Sequence, residues 1–478
     1  MELNYTCSID GCFKPLKDSD LEVSKRFENF SFSHLLFYKF SPSYWLVIDT
    51  FNNQIALVCN QTKLEVFDKC NEDNKYFNYY AKLFYRNKKT FELQHDEYLQ
   101  FRRKERLNFY IICPTFDCNS RCIYCYQQYD KSLDRKSISN ENLDFILSCI
   151  EKNIVEIRSI RKDEKIAIGL FGGEPFMKCN KECIEKIMHF ARENQVPVLP
   201  TSNLQEVDDF IDIFFKYRGY FERICTTIDG DKEYHNSRRC SLITEDPFKK
   251  VVDNINLLIS LRINVTVTIN IDSTNKGMLK GFLEVAKDNS WIDNDNVTLE
   301  IGRVDDRCYT GTSDDIMLEA ELLEYLYNFN KINKFPKNIK LAFIKTSLNL
   351  AQRFNFAFNQ KEPGRGNFHY CWSSTPCDDV QYIDKDGNIY RCTYTVGKSN
   401  FIIGNIFEEN INRDIFKRSS FIEQCWNCPI GGFCGGGCSV SCYVNKERFC
   451  KEEKRNFDYL INNLVIPIIQ ERIKNDEL

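Results

Sequence analysis

Cys118, Cys122 and Cys125 stand in the run DCNSRCIYC, a C-x3-C-x2-C spacing that places three thiols in one short loop. Three thiolates so arranged can bind three irons of a cubane iron–sulfur cluster and leave the fourth iron open to another ligand. The alternative is zinc, which in structural sites takes four protein ligands; the nearest further thiol, Cys113, falls on a predicted strand. A second group of cysteines lies late in the chain, as Cys371-x5-Cys377-x14-Cys392, then Cys425-x2-Cys428-x5-Cys434-x3-Cys438, then Cys442 and Cys450. A zinc ribbon would account for the CxxC element alone, but not for the CxxxxxCxxxC run beside it.

The elements that must position these thiols are legible as a period. Apolar runs begin at Phe109, Ile166, Val196, Ile224, Ile263 and Val297, and read as six strands. Between them, helical spacing predicts helices over 140–158, 181–194, 207–217, 248–261 and 278–289, with a further one over 314–331. Strands alternating with helices predict an α/β fold with a parallel sheet, in which chemistry sits at the carboxyl ends of the strands. Ahead of this unit, YWLVIDT from Tyr44 and IALVCN from Ile55 read as a hairpin around Asn52 and Asn53, followed by a helix over 62–70. From Cys371 to Cys450 the composition shifts to Cys, Gly and Asp with few long apolar runs, so metal is expected to hold that region together.

Bulk composition narrows the partners. Lys and Arg number 64 against 68 Asp and Glu, which does not favour a phosphate-binding surface, so nucleic acid is not an expected partner. No apolar run is long enough to span a membrane, and no signal peptide is legible at the start, so no membrane association and a cytoplasmic location are expected. In a reducing compartment, 23 cysteines point to metals or catalysis and away from disulfides.

With the triad directly after the first strand of such a unit, the chain resembles the radical S-adenosylmethionine (SAM) superfamily. The resemblance implies a partial (β/α)6 TIM-like barrel, preceded by a small α+β domain and followed by a Cys-rich iron–sulfur domain. It also implies that SAM chelates the open iron and is cleaved by one electron to a 5′-deoxyadenosyl radical, which takes a hydrogen atom from the substrate. Tyr124 matches the aromatic residue that meets adenine. Gly172, Gly173, Glu174 and Pro175 look like the family's GGEP motif, where glycines would admit the SAM ammonium and the carboxylate would hold it. Thr201, Ser202 and Asn203 stand where the family meets the ribose and methionyl parts of SAM. The segment TIDGDKEYHNSRR is similar to DGxxxxHxxxR of peptide- and protein-modifying members, with Asp229, His235 and Arg239 at its positions and Arg239 as the clamp for the SAM carboxylate.

The late cysteines resemble the SPASM domain, which binds two auxiliary [4Fe–4S] clusters. Carried over residue by residue, cluster I takes Cys371, Cys377, Cys392 and Cys438, the alternative being that only one of Cys371 and Cys377 ligates and an iron stays open, and cluster II takes Cys425, Cys428, Cys434 and Cys450, with Cys442 as the alternative last ligand. The implied domains are 1–100 for leader-peptide recognition, 101–335 for the barrel, 336–370 as a bridge, 371–450 for the auxiliary clusters and 451–478 as a C-terminal helix. The expected cofactors are three [4Fe–4S] clusters and SAM, and the expected partners are a precursor peptide or protein and a flavodoxin- or ferredoxin-like electron donor. The leading expectation is oxidative cross-linking of a ribosomally made, Cys-containing peptide. The alternatives are an anaerobic sulfatase-type maturase forming formylglycine from Cys or Ser, and a non-catalytic iron–sulfur electron carrier. Sulfatase-type members place an acid directly after the third cluster I cysteine, where this chain has Thr393. Anaerobic reconstitution is expected to load about twelve irons per chain; iron for a single cluster, or zinc in the Cys-rich region, would refute this.

Overall fold

The computed structural model describes residues 3–474 apart from 9–10, 23–25, 105, 128–129, 131, 312–314, 345–346, 355–370, 372–378, 409, 413–422 and 424. The chain opens with β1 (Tyr5–Cys7), β2 (Phe13–Pro15), β3 (Leu36–Lys39), β4 (Tyr44–Asp49) and β5 (Gln54–Cys59), which form one antiparallel sheet in the order β2-β1-β5-β4-β3. The expected hairpin is β4 and β5, with Asp49 opposite Gln54 and Asn53 at φ +55° in the turn, a conformation Asn tolerates. These strands do not alternate apolar with polar because both faces are covered. Leu46, Ile48, Ile55 and Leu57 belong to the main core, whereas Val47, Ala56 and Val58 pack with Phe77, Tyr80 and Phe84 in a separate cluster.

The hairpin strands are interior, because β5 pairs with β1 and β4 with β3, so neither offers a free edge. The edges of the sheet are β2 and β3. The helix expected over 62–70 is α-helical only at Asn60–Thr62 and continues in π-helical form over Lys63–Asp68.

Next in chain order come β6 (Leu107–Ile112), β7 (Ser120–Cys122), β8 (Lys165–Leu170), β9 (Val198–Pro200), β10 (Ile224–Thr227), β11 (Arg239–Ser241), β12 (Val265–Ile271), β13 (Val297–Arg303) and β14 (Ile339–Leu341). All six expected strands form, as β6, β8, β9, β10, β12 and β13. The first three are parallel neighbours, the last three are too, and isolated parallel bridges Val198–Phe221 and Thr201–Cys225 join the two groups. Helices Asn140–Ile160, Lys181–Glu193, Ile211–Tyr217, Pro247–Ser260 and Leu279–Asp288 connect them. Local chemistry starts two of these helices: the Ser139 side chain accepts from Asn142 N, and Asp246 accepts from Lys249 N with Pro247 in the first turn. The further expected helix runs over Glu319–Asn333.

The Cys-rich region is built onto the same sheet. β15 (Asp379–Ile383) pairs parallel with β6 along its length, from Asp379 opposite Asn108 to Ile383 opposite Ile112. β16 (Asn388–Tyr390), β17 (Gly404–Asn405) and β18 (Asn410–Ile411) extend it antiparallel. Asp384 holds the β15–β16 turn by accepting from Asp386 N, Asn388 N and the Tyr390 hydroxyl. Among the described residues, no helix is long and apolar enough to cross a membrane.

The N-terminal sheet docks on the Cys-rich region through its β4–β5 turn. The Thr50 hydroxyl donates to Pro429 O at 2.7 Å and accepts from Gly432 N at 3.2 Å, and the Phe51 ring meets Trp426 edge-on at 5.0 Å. Replacing Thr50 by Val keeps the shape and leaves a buried donor and a buried acceptor unpaired, so Thr50→Val is expected to destabilise by ~1–3 kcal/mol. Denaturant titration of the two proteins checks this, and coincident curves would show the docking to be dispensable.

Candidate active site

The triad loop is fixed from two sides. β7 pairs antiparallel with β11, so Cys122 stands opposite Arg239 and Ser120 opposite Ser241. On the other side, the backbone after β8 lies against the loop: Gly173 N donates to Thr115 O at 2.9 Å and Glu174 N to Asp117 O at 2.8 Å. A Cβ on Gly173 would stand 1.9 Å from Asp117 O, and one on Gly172, at φ +123°, 2.4 Å from Thr115 O. The sequence assigned these glycines to a ligand; the structure shows that the triad loop itself already requires them.

Cys118, Cys122 and Cys125 line one cavity of about 280 Å³. Tyr124, Gly172, Gly173 and Glu174 share its wall, as do Thr201, Ser202, Asn203 and Arg239, so the cavity gathers most of the expected SAM residues. Pro175 is buried but is not part of the wall; its carbonyl accepts from Asn180 Nδ2 at 3.2 Å, closing the turn. Glu174 accepts from Ser202 Oγ at 2.7 Å, Asn203 N at 2.6 Å and Phe176 N at 2.9 Å. Burial outweighs these donors and raises the Glu174 carboxyl from 4.5 to about 7. The Asn203 amide donates to Asn119 Oδ1 at 2.7 Å and Ser120 Oγ at 3.1 Å, and lies 3.7 Å from Cys118 Sγ.

Tyr124 joins a second polar cluster. Its hydroxyl donates to Asp229 Oδ2 at 2.5 Å and accepts from Arg239 Nη1 at 2.7 Å, while the Arg238 guanidinium lies 5.0 Å over its ring. Arg239 therefore reaches the cavity between Tyr124 and the triad, where a carboxylate could meet its remaining donors. Asp229 and His235 are fully buried and do not line the cavity. His235 Nδ1 accepts from Asp229 N at 3.3 Å, and burial pushes the ring down to about 3, so it acts as a neutral prop for the loop.

Burial pushes the Cys118 thiol up to about 12 and the Cys122 thiol to about 11, and a bound cation reverses that preference by holding the thiolate. Among the described residues, no three His, Cys, Asp or Glu side chains converge on a single metal ion. A structural zinc ion needs such convergence, whereas the sulfurs around a cubane each bind a different iron. Three thiols on one cavity wall, with room beside them, fit a cluster.

Of the late cysteines, Cys377 lies outside the described residues. The parallel register of β15 on β6 brings Cys392 back to the triad loop, where the Tyr126 hydroxyl donates to Thr393 O. Cys371 and Cys392 both neighbour Tyr382, whose hydroxyl is raised first by burial and then by these thiols. Cys425 and Cys428 share a turn closed by Cys428 N to Cys425 O at 2.9 Å. Cys434 is followed by Gly435, Gly436 and Gly437, all at positive φ, which turn the chain into Cys438 at the start of the helix Ser439–Leu460. Cys450 on that helix is raised by burial and then by Cys428, so the two thiols are neighbours, whereas Cys442 Sγ meets Gly436 O at 3.6 Å.

The sequence reading missed Gln127, Asn270, Arg303, Asp305 and Tyr394, all on the cavity wall. Asn270 and Arg303 lie at the carboxyl ends of β12 and β13, and that position was the signal available for finding them.

No family model matches the chain. It is 21% identical over 345 residues to the serine-type anaerobic sulfatase-maturating enzyme of Bacteroides thetaiotaomicron, a match covering 67% of this chain and 80% of that one. It is similar in structure to anSMEcpe with bound AdoMet and the Cp18Cys peptide, at TM-score 0.52 and 16% identity over 76% of this chain and 99% of that one. It is also similar to Streptococcus suis SuiB bound to the precursor peptide SuiA, at TM-score 0.52 and 14% identity over 87% of this chain and 96% of that one. The resemblance to radical SAM maturases holds. In this chain, Gly173→Ala is expected to displace the triad loop, so that cluster loading and SAM binding fall at least about tenfold while the far-ultraviolet circular dichroism stays native; undiminished SAM binding would show that the loop tolerates a Cβ there.

Proposed function

We propose that the chain is a radical SAM enzyme that matures a ribosomally made peptide by oxidative cross-linking, on a partial (β/α)6 barrel with an N-terminal leader-binding sheet and a C-terminal auxiliary-cluster region. The observation that carries this reading is the single cavity shared by the triad, the Gly172–Glu174 turn and Arg239 at the carboxyl ends of parallel strands. When bound, the cluster and SAM supply one-electron chemistry that removes a hydrogen atom from the substrate. The chain's own residues then have defined tasks. Cys118, Cys122 and Cys125 hold the cluster, and the Asn203 amide beside Cys118 steadies that sulfur. Glu174, anchored by Ser202 and Asn203, faces the ammonium of SAM, and Arg239, braced by Tyr124, takes its carboxylate.

Peptides are named with both matched structures, one a Cp18Cys peptide and one a precursor peptide, and this supports a peptide or protein substrate here. A leader would add as a strand to β3, which has no outer strand partner among the described residues. Cys371, Cys377, Cys392 and Cys438 holding one auxiliary cluster, and Cys425, Cys428, Cys434 and Cys450 the other, would give it a full set of ligands and make it an electron acceptor for the closing step. The donor of the first electron is a flavodoxin- or ferredoxin-like protein on this reading.

A sulfatase-type activity is the second reading, favoured by the 21% identical relative. Two measurements on product peptides separate the readings. Cross-linking removes one pair of hydrogens, leaves no aldehyde and blocks alkylation of the joined cysteine, whereas formylglycine is an aldehyde that captures a hydrazide probe. A Cys392→Ala variant should stop product formation while some SAM cleavage persists. Hydrazide capture by the product would overturn the cross-linking reading, and full turnover by Cys392→Ala would remove the role given to the auxiliary site.

A further inference from the structure

Among the described residues, two buried side chains on the cavity wall carry a donor with no hydrogen-bond partner, Gln127 at Nε2 and Arg303 at Nε. Both are at least nine-tenths buried: Gln127 is 5% exposed and the Arg303 side chain 9%. A buried donor without a partner is costly, and each such group calls for an acceptor. Gln127 follows Cys125 by two positions, and Arg303 ends β13. The Arg303 guanidinium donates Nη1–H to Met317 O at 2.6 Å and Nη2–H to Asp305 at 3.2 Å, and its Nε–H is left over. Asp305 is itself shared, since Arg307 Nε lies 2.5 Å from the same oxygen. One carboxylate therefore answers two guanidiniums at this point.

Place in the fold indicates whose acceptors these donors await. Glu174, Ser202 and Asn203 follow β8 and β9, whereas Arg303 belongs to β13, beyond β10 and β12 in the strand order. Arg303 and Asp305 also line a second cavity of about 270 Å³, which reaches Glu452 and Asn456 on the helix Ser439–Leu460 and contains none of the residues matched to SAM. A chain entering from that cavity would pass Arg303 before reaching the triad.

We propose that Gln127 and Arg303 determine substrate specificity by holding an extended peptide across the cavity, Arg303 gripping an Asp or Glu carboxylate beside the modified residue and Gln127 a backbone carbonyl. This rests on the peptide reading above. The remaining Nε–H of a charged guanidinium suits a carboxylate oxygen because a hydrogen bond between ionised partners is about twice as strong as a neutral one, and a neutral amide suits a peptide carbonyl.

The test uses the reconstituted holoenzyme and short synthetic cysteine peptides that differ only in an Asp, Asn or Ala next to the cysteine, with peptide and SAM affinities measured separately by calorimetry. The wild type is expected to prefer the Asp peptide to the Asn peptide by about tenfold, and Arg303→Met to abolish that preference with SAM affinity unchanged. Arg303→Lys should retain part of it. Gln127→Leu should weaken all the peptides alike, by about threefold to tenfold, again sparing SAM. Because Arg303 also anchors Met317, Gln127→Leu keeps the test open if Arg303→Met does not fold. A wild type indifferent to Asp, or a parallel fall in SAM affinity in either variant, overturns this inference and leaves the peptide reading standing. A wild type that binds SAM but none of the peptides overturns both.

Discussion

The close approach between the backbone after β8 and the loop after β6 is the constraint on which the rest of the site depends. Gly173 and Glu174 donate to Thr115 and Asp117 at a separation that leaves no room for a side chain on Gly173. With that contact made, the triad loop cannot drift relative to the strand ends that carry Glu174 and Asn203. β11 then clamps its far side, opposing Arg239 to Cys122. β15 lies along the other flank of β6 and brings Thr393, the residue after Cys392, into a hydrogen bond with Tyr126, the residue after Cys125. One strand, β6, thus sets the positions of two cysteine groups separated by more than half the sequence.

Polar groups buried around the triad are satisfied chiefly by one another, which makes the site stiff. Hydrogen bonds to a carboxylate contribute about 1.5–3 kcal/mol each, and Glu174 accepts three. Desolvation nevertheless wins, as the rise of its carboxyl to about 7 shows. The balance is close enough that one cationic group in the cavity would restore the carboxylate. Tyr124, Asp229 and Arg239 form a similar closed set, in which the positive charge of Arg239 is offset before any ligand arrives. The cavity wall thus carries a carboxyl group at Glu174 and a guanidinium at Arg239, each already held by neighbouring side chains.

Much of this was legible because the strongest signals are local. The strands that became β6 and β8 are nearly continuous apolar runs, as expected of strands covered on both faces, whereas β12 (VTVTINI) and β13 (VTLEIGR) announce themselves by alternation with β-branched residues. The triad and the Gly172–Glu174 turn could be read because chemistry compresses them into a few residues. What could not be read depends on long-range pairing of short polar segments. β7 and β11 are SRC and RCS, with no apolar signature, and only their mutual pairing makes them strands. β1 and β3 carry too few residues to announce themselves, so only the hairpin of β4 and β5 was legible and not the five-stranded sheet in which it is interior. Gln127 and Arg303 share the difficulty: each is an ordinary polar residue until the fold buries it on a cavity wall.

Thr393 shows how the same geometry bears on the choice between chemistries. Its carbonyl is taken by Tyr126 and its side chain hydrogen-bonds Tyr382, so the position after Cys392 is occupied in holding two aromatic rings. A hydroxyl there cannot serve as the proton acceptor that a carboxylate would provide near neutral pH. Among the described residues, the carboxylates on the cavity wall are Glu174 and Asp305. Glu174 is committed to Ser202, Asn203 and Phe176, and Asp305 to Arg303 and Arg307. A route that abstracts a proton from the substrate at this point would have to break one of these sets. Where the substrate residue is a cysteine the demand on the wall is smaller, because a thiol loses its proton at about pH 8.5 and water can take it, so the committed wall bears most heavily against a serine substrate. Among the described residues, the wall atoms left without a hydrogen-bond partner, Gln127 Nε2 and Arg303 Nε, are donors. They are suited to holding a chain in place, and not to removing its protons.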